Sequence, residues 1–96
     1  METSFRLEMH DALCEAILHR LKNIDGLGLS LEDGVRSFSE MGADSTAMMM
    51  VSLEFEEELG TELPPHLLWD CPDVDRLADF LLENVEKTRL SEFVRK

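Results

Sequence analysis

Met41-Gly42-Ala43-Asp44-Ser45-Thr46 joins a loop to a helix. Gly42 supplies a turn, Asp44 is a good N-cap, and Ser45 opens an amphipathic run. The run reaches Leu59, and Gly60 follows at the left-handed stop position. Met48, Val51, Ser52, Phe55 and Leu59 recur at helical spacing and make an inward stripe. Three consecutive methionines, Met48 to Met50, span about 200° of a helix and cannot all face one core. Met48 belongs to the interior. Met49, Met50 and Leu53 point outward as an adaptable, soft surface, with Glu56 and Glu57 one turn further on.

Outward from this helix, three other helical segments are expected. Phe5 to Ile24 places Met9, Leu13, Ile17, Leu21 and Ile24 on one side, with Ser4 as a candidate cap. Asp25-Gly26-Leu27-Gly28 ends it, and a long loop runs to Asp44. That loop carries Leu27, Leu29, Leu31, Val35 and Phe38, so it is expected to pack over the helices, and Ser30-Leu31-Glu32-Asp33 has the composition of one capped turn. Past Gly60, Pro64-Pro65 bars a helix. His66 to Asp70 reads as a short turn with Trp69 as a core plug, ended by Cys71-Pro72. Asp73 caps a last helix bearing Val74, Leu77, Ala78, Leu81, Leu82 and Val85. Residues 87–96 either extend it, using Leu90 and Phe93, or fray. The fold class is all-α: a four-helix bundle with a long first loop and a short third helix. One domain covers residues 1–96, with its core in about 5–85 and a C-terminal extension at 86–96. Val51, Phe55, Leu59, Leu13, Ile17, Trp69, Leu77 and Leu81 are its expected buried members.

Composition narrows the function. The chain has 96 residues, 44% of them hydrophobic, and a net charge of −12. This is enough apolar content for a modest core and too much for an acidic disordered tail. No apolar run approaches the ~20 residues of a membrane span. Glu2 and Glu8 stand where a signal peptide would be basic, so a cytoplasmic protein is expected. Residues 37–75 hold no Lys or Arg and ten carboxylates. Such a surface repels nucleic acid and anionic lipid, and steers toward basic protein patches.

Chemistry of its own finds little support. Ser45 lacks a G-x-S-x-G elbow and has no histidine near it in sequence. Catalytic and metal-ligating residues are therefore assigned to none. His10 and His19 read as surface residues. Cys14 and Cys71 are far apart, form no C-x-x-C pair, and are expected to stay thiols. Asp70 to Asp75 lacks the glycine of a calcium loop and carries Pro72 instead. What remains is attachment. A serine in the first turn of a helix exposes its hydroxyl, and the unpaired N–H groups there favour a phosphate on that oxygen.

Gly42-Ala43-Asp44-Ser45 resembles the G-x-D-S attachment motif of acyl carrier proteins. Leu59-Gly60, Leu63-Pro64, Leu67, Leu68, Trp69, Asp70, Pro72, Leu77-Ala78 and Phe80-Leu81 follow that family's spacing. The resemblance covers most of the chain. It implies that Ser45, beside Asp44, carries 4′-phosphopantetheine taken from coenzyme A by a separate Mg²⁺-dependent phosphopantetheinyl transferase. The arm's thiol would hold an intermediate as a thioester, and the second helix would dock partners. On this chain the partner-binding residues would be Thr46, Met49, Met50, Leu53, Glu56 and Glu57, with Glu54 adding charge.

The chain departs from the family in instructive places. Thr46 stands where leucine is usual, and Met50 where fatty-acid carriers tend to have glutamate. Leu67-Leu68-Trp69-Asp70-Cys71-Pro72 resembles the L-x-F-D-x-P stretch of polyketide-synthase carriers, with Trp in the aromatic place. Peptidyl carriers of nonribosomal synthetases share a related element, but often have a second glycine where Ala43 stands. The resemblance thus implies a monomeric carrier of polyketide-type secondary metabolism, antibiotic biosynthesis included, with a peptidyl or aminoacyl carrier as the alternative. Its partners would be the transferase, an acyltransferase or adenylating loading enzyme, and a downstream synthase or transferase. The starting Met and the lack of long flanking linkers suggest a free-standing carrier, with a domain excised from a megasynthase as the alternative. A different class stays open on the residues alone: an unmodified acidic adaptor that binds through the second helix.

Overall fold

In the computed structural model the described residues are 2–23 and 37–95. They form α1 (Glu2–Asn23), α2 (Ser45–Leu59), α3 (Leu67–Asp70), α4 (Val74–Asn84) and α5 (Lys87–Arg95). There is no strand among them, only an isolated antiparallel bridge between Ser37 and Asp73. Leu27, Leu29, Leu31, Val35 and the Ser30–Asp33 turn lie outside the described residues, as does Ile24.

The apolar periodicity explains the architecture. Leu13, Ile17 and Leu21 of α1 are buried, and so are Leu77, Ala78 and Leu81 of α4. The two helices pack along these stripes. Helix α2 buries Ala47, Val51, Ser52, Phe55 and Leu59, and packs on α3 and α5. Its caps are those expected from sequence. The Asp44 carboxylate accepts from Ala47 N–H at 2.8 Å. Gly60 adopts φ 65°, and its N–H donates to the Glu56 carbonyl at 2.9 Å. Asp73 caps α4 in the same way, accepting from Arg76 N–H at 2.8 Å.

Four expectations need correction. Helix α1 begins at Glu2, so Ser4 lies within it rather than capping it. Of the expected extension, the described residues 87–95 neither continue α4 nor fray: α4 ends at Asn84, Val85 turns to an extended conformation, and a separate helix starts at Lys87. The new direction lets Leu90 and Phe93 enter the core beside α1 and α2. Trp69 is not a core plug but is 46% exposed. Leu67 and Leu68 already fill the inward arc of the four-residue α3, and a further 100° step carries Trp69 to the outside with Asp70. His10 is not a free surface residue either. Its Nε2 lies 3.2 Å from the Asp75 carbonyl oxygen and 3.3 Å from Asp79 Oδ1, across the α1–α4 seam.

Helix α5 also closes the C-terminal end of α2. Arg89 Nη1 donates to the carbonyls of Leu59 and Gly60, at 3.1 and 2.9 Å. A helix without a basic residue in its last turn thus borrows its cation from another element. Arg20 of α1 reaches Glu58 of α2 at 3.2 Å and lies 3.8 Å over the Phe93 ring.

Candidate functional site at the mouth of helix α2

The loop before α2 is held from below. Phe38 and Met41 are fully buried. Phe38 N–H donates to the Pro72 carbonyl at 2.9 Å, tying this loop to the entrance of α4. Successive bonds from Met41, Gly42 and Ala43 N–H to the carbonyls of Ser37, Ser39 and Phe38 wind the chain into a compact turn. Gly42 sits at φ 88°, a backbone state that other residues rarely adopt. The turn therefore delivers Asp44 to its capping position with little freedom, and Ser45 emerges at the first helical position.

Ser45, Asp44 and Thr46 are all exposed. Helix geometry leaves the N–H groups of Ser45 and Thr46 without intrahelical partners, because the first backbone bond runs from Met48 N–H to the Asp44 carbonyl at 2.9 Å. A phosphodiester on the Ser45 hydroxyl would meet these donors and the positive end of the helix dipole. The residues present thus fit a phosphate-linked group: an exposed nucleophilic oxygen, free donors beside it, and a rigid base beneath.

Along α2 the predicted face divides in two. Met49 (49% exposed), Met50 and Leu53 (60% exposed) are an unburied apolar row one to two turns from Ser45. Met49 and Leu53 border a cleft of about 150 Å³ shared with Ser52, Glu56, Leu63 and Pro65. Glu54 and Glu57 are exposed. Glu56 is half-buried, and its Oε1 accepts from Leu63 N–H at 2.8 Å. It closes the turn after α2, so its carboxylate is committed to the fold. Sequence spacing missed this because the bond spans seven residues, through the Gly60 turn. Trp69 was missed as a surface residue for the reason given above.

A family model for the phosphopantetheine attachment site matches residues 11–81. The chain belongs to that family.

The carrier domain has phosphopantetheine as its cofactor and no catalysis of its own. Carriers of this family interact with a phosphopantetheinyl transferase and with synthase domains. Distant similarity extends to two fungal polyketide synthases. The 6-methylsalicylic acid synthase of Aspergillus terreus is 35% identical over 60 residues, 62% of this chain and 3% of that protein. The non-reducing polyketide synthase nscA of Arthroderma otae is 28% identical over 80 residues, 83% of this chain and 4% of that protein. The carrier thus spans a small fraction of either relative's length. No solved structure matches it. No helix among the described residues is long and apolar enough to cross a membrane.

Proposed function

We propose that Ser45 is the attachment residue, and that the carrier holds an acyl intermediate of a polyketide-type pathway and presents it to successive enzymes along α2. The observation that carries this reading is the exposed Ser45 hydroxyl in the first turn of α2, above a buried loop and beside the Asp44 cap. When bound, the arm supplies a thiol on which the cargo is held as a thioester. The chain's own part is to fix the hydroxyl, favour the phosphate with N-terminal donors, and offer a recognition surface.

That surface is Thr46, Met49, Met50, Leu53 and Glu57. Methionines repack against differently shaped partners, and the acids give fast, salt-sensitive encounter at modest affinity. One carrier can then visit several enzymes in turn, while the tether keeps its cargo at high effective concentration in each. Glu56 contributes to this surface only indirectly, by shaping the turn after α2. The partners fitting this reading are a loading acyltransferase and a condensing or transferring enzyme with basic, apolar-centred faces.

Intact mass tests the assignment. Incubation with coenzyme A, Mg²⁺ and a promiscuous transferase should add one phosphopantetheine, and Ser45→Ala should add none. An increment that survives in Ser45→Ala would overturn it. For the docking face, replacing Met49 and Met50 together by polar residues should slow acyl transfer by the native partner at unchanged arm loading. Unchanged transfer would refute that part.

A further inference from the structure

Among the described residues, one cluster away from Ser45 brings together three different metal donors. His10 and Cys14 lie one turn apart on α1, and Asp75 faces them from the first turn of α4. One ligand atom from each lies within 4.8 Å of the others. Cys14 Sγ is 3.6 Å from Asp75 Oδ1 and 3.8 Å from His10 Nδ1. A tetrahedral ion with ordinary zinc bond lengths holds sulfur about 3.5–3.6 Å from its nitrogen and oxygen neighbours. The two sides that meet at sulfur therefore stand within a few tenths of an ångström of a coordination triangle, and the third, between His10 and Asp75, is within 4.8 Å and closes by side-chain rotation.

The surroundings argue for a site rather than a chance meeting. His10 Nε2 faces two acceptors, the Asp75 carbonyl and Asp79 Oδ1, at 3.2 and 3.3 Å. With the proton on Nε2, where these two acceptors stand, the Nδ1 lone pair is on the side of the thiol. That is the outer-shell arrangement that orients a metal-bound imidazole and raises its basicity. Cys14 is buried while His10 and Asp75 are half-buried, so the donors sit at a seam that solvent reaches from one side.

We propose that His10, Cys14 and Asp75 form a divalent-metal site of the zinc class that clasps α1 to α4. The donor set selects the metal: a thiolate and an imidazole favour zinc over magnesium or calcium. Binding replaces the Cys14 proton, which is released to solvent, by a sulfur–metal bond. The hydrogen bond from Cys14 to Asp75 gives way to two bonds through the ion. Thiolate and carboxylate balance the ion's charge, and the fourth position is open to water or to the exposed Asp11, whose Oδ1 is 3.9 Å from His10 Nδ1. The site joins the helix before the attachment loop to the helix that this loop is tied to through Pro72. Metal binding would stiffen that frame without touching Ser45.

The test uses the full chain carrying Ser45→Ala, so that no arm thiol competes. Co²⁺ alone should bind with one equivalent and give a thiolate-to-metal charge-transfer band with intense visible bands of four-coordinate cobalt. Zn²⁺ should bleach both and raise the melting temperature by roughly 10 °C at a hundredfold excess over Kd. The bands should vanish in Cys14→Ser and in His10→Gln, and persist in Cys71→Ser. His10→Gln is at a half-buried position, so it carries the test if Cys14→Ser unfolds. No sulfur band, or a band kept in His10→Gln or lost in Cys71→Ser, overturns the proposal. A hydrogen-bonded clasp with no affinity for metal would give that first outcome.

Discussion

Phe93→Ala probes whether α5 belongs to the cooperative core. The Phe93 ring is 1% exposed. It packs with Phe55 in an edge-to-face pair, with centroids 5.6 Å apart at 77°, and carries the Arg20 guanidinium 3.8 Å over its ring. Returning that much apolar surface to water costs about 2.5 kcal/mol. Walls drawn from α1, α2 and α5 close only part of the space, and the residual cavity adds about 1 kcal/mol. Loss of the edge contact to Phe55 adds roughly 0.5–1 kcal/mol. The expected loss is about 4 kcal/mol, within the usual range for this substitution. A domain of this size has roughly 5–10 kcal/mol in all. Urea titration followed by far-ultraviolet circular dichroism should therefore show a midpoint lowered by roughly 2.5–3 M, at a slope near 1.5 kcal/mol/M. Trp69 fluorescence is the poorer probe, because that ring is already exposed. Lys87→Ala is the internal control. Lys87 stands 4.9 Å over the exposed Phe5 ring, a cation–π pair in solvent, and its loss should cost under about 0.5 kcal/mol. A midpoint drop below about 0.5 M for Phe93→Ala would refute the reasoning and make α5 an appendage.

Other perturbations separate roles that look alike in sequence. Glu56→Ala should cost about 1.5–3 kcal/mol by stranding Leu63 N–H, whereas Glu57→Ala should leave the urea midpoint in place and raise the KM of a docking enzyme. Gly60→Ala should destabilise by about 2 kcal/mol, because a side chain at φ 65° is strained and its Cβ would stand 2.5 Å from Arg89 Nη1; Arg89→Ala should relieve part of that cost in the double variant, read by thermal melting. Burial, with Asp70 and Asp73 adding, pushes the Cys71 thiol above its ordinary value of 9.0. The folded state thus resists ionising Cys71, so its contribution is complete below the unfolded-state value and is lost as pH rises through the raised folded one. Stability should decline above about pH 9 less steeply in Cys71→Ala than in the parent, as measured by urea midpoints across that window.

Local signals set much of this molecule in advance. A helix cap needs only a side chain within three residues of the donor, so Asp44 and Asp73 were legible as caps. The left-handed stop at Gly60 was legible because only glycine adopts it without strain. The 3.6-residue stripe told which side of α2 turns inward, and by subtraction that Met49, Met50 and Leu53 turn out. The exposed Ser45 at the mouth of α2 follows from the same local rules, and the carrier family follows from the motif around it.

Competition between distant parts of the chain was not legible. Trp69 yields its place to Leu67 and Leu68, because a four-residue helix has one narrow inward arc. Glu56 looks like any other acid on α2 until the turn after Gly60 brings Leu63 N–H to it. Phe93 becomes core only because the chain breaks at Val85 and sends α5 back across α1 and α2. His10, Cys14 and Asp75 meet across 61 residues or more of sequence between the two helices, and from sequence they were assigned no metal role. Backbone bonds and caps act over three or four residues and can be read from neighbours. Burial and long-range polar pairing depend on which surfaces meet, and only the packed fold decides that.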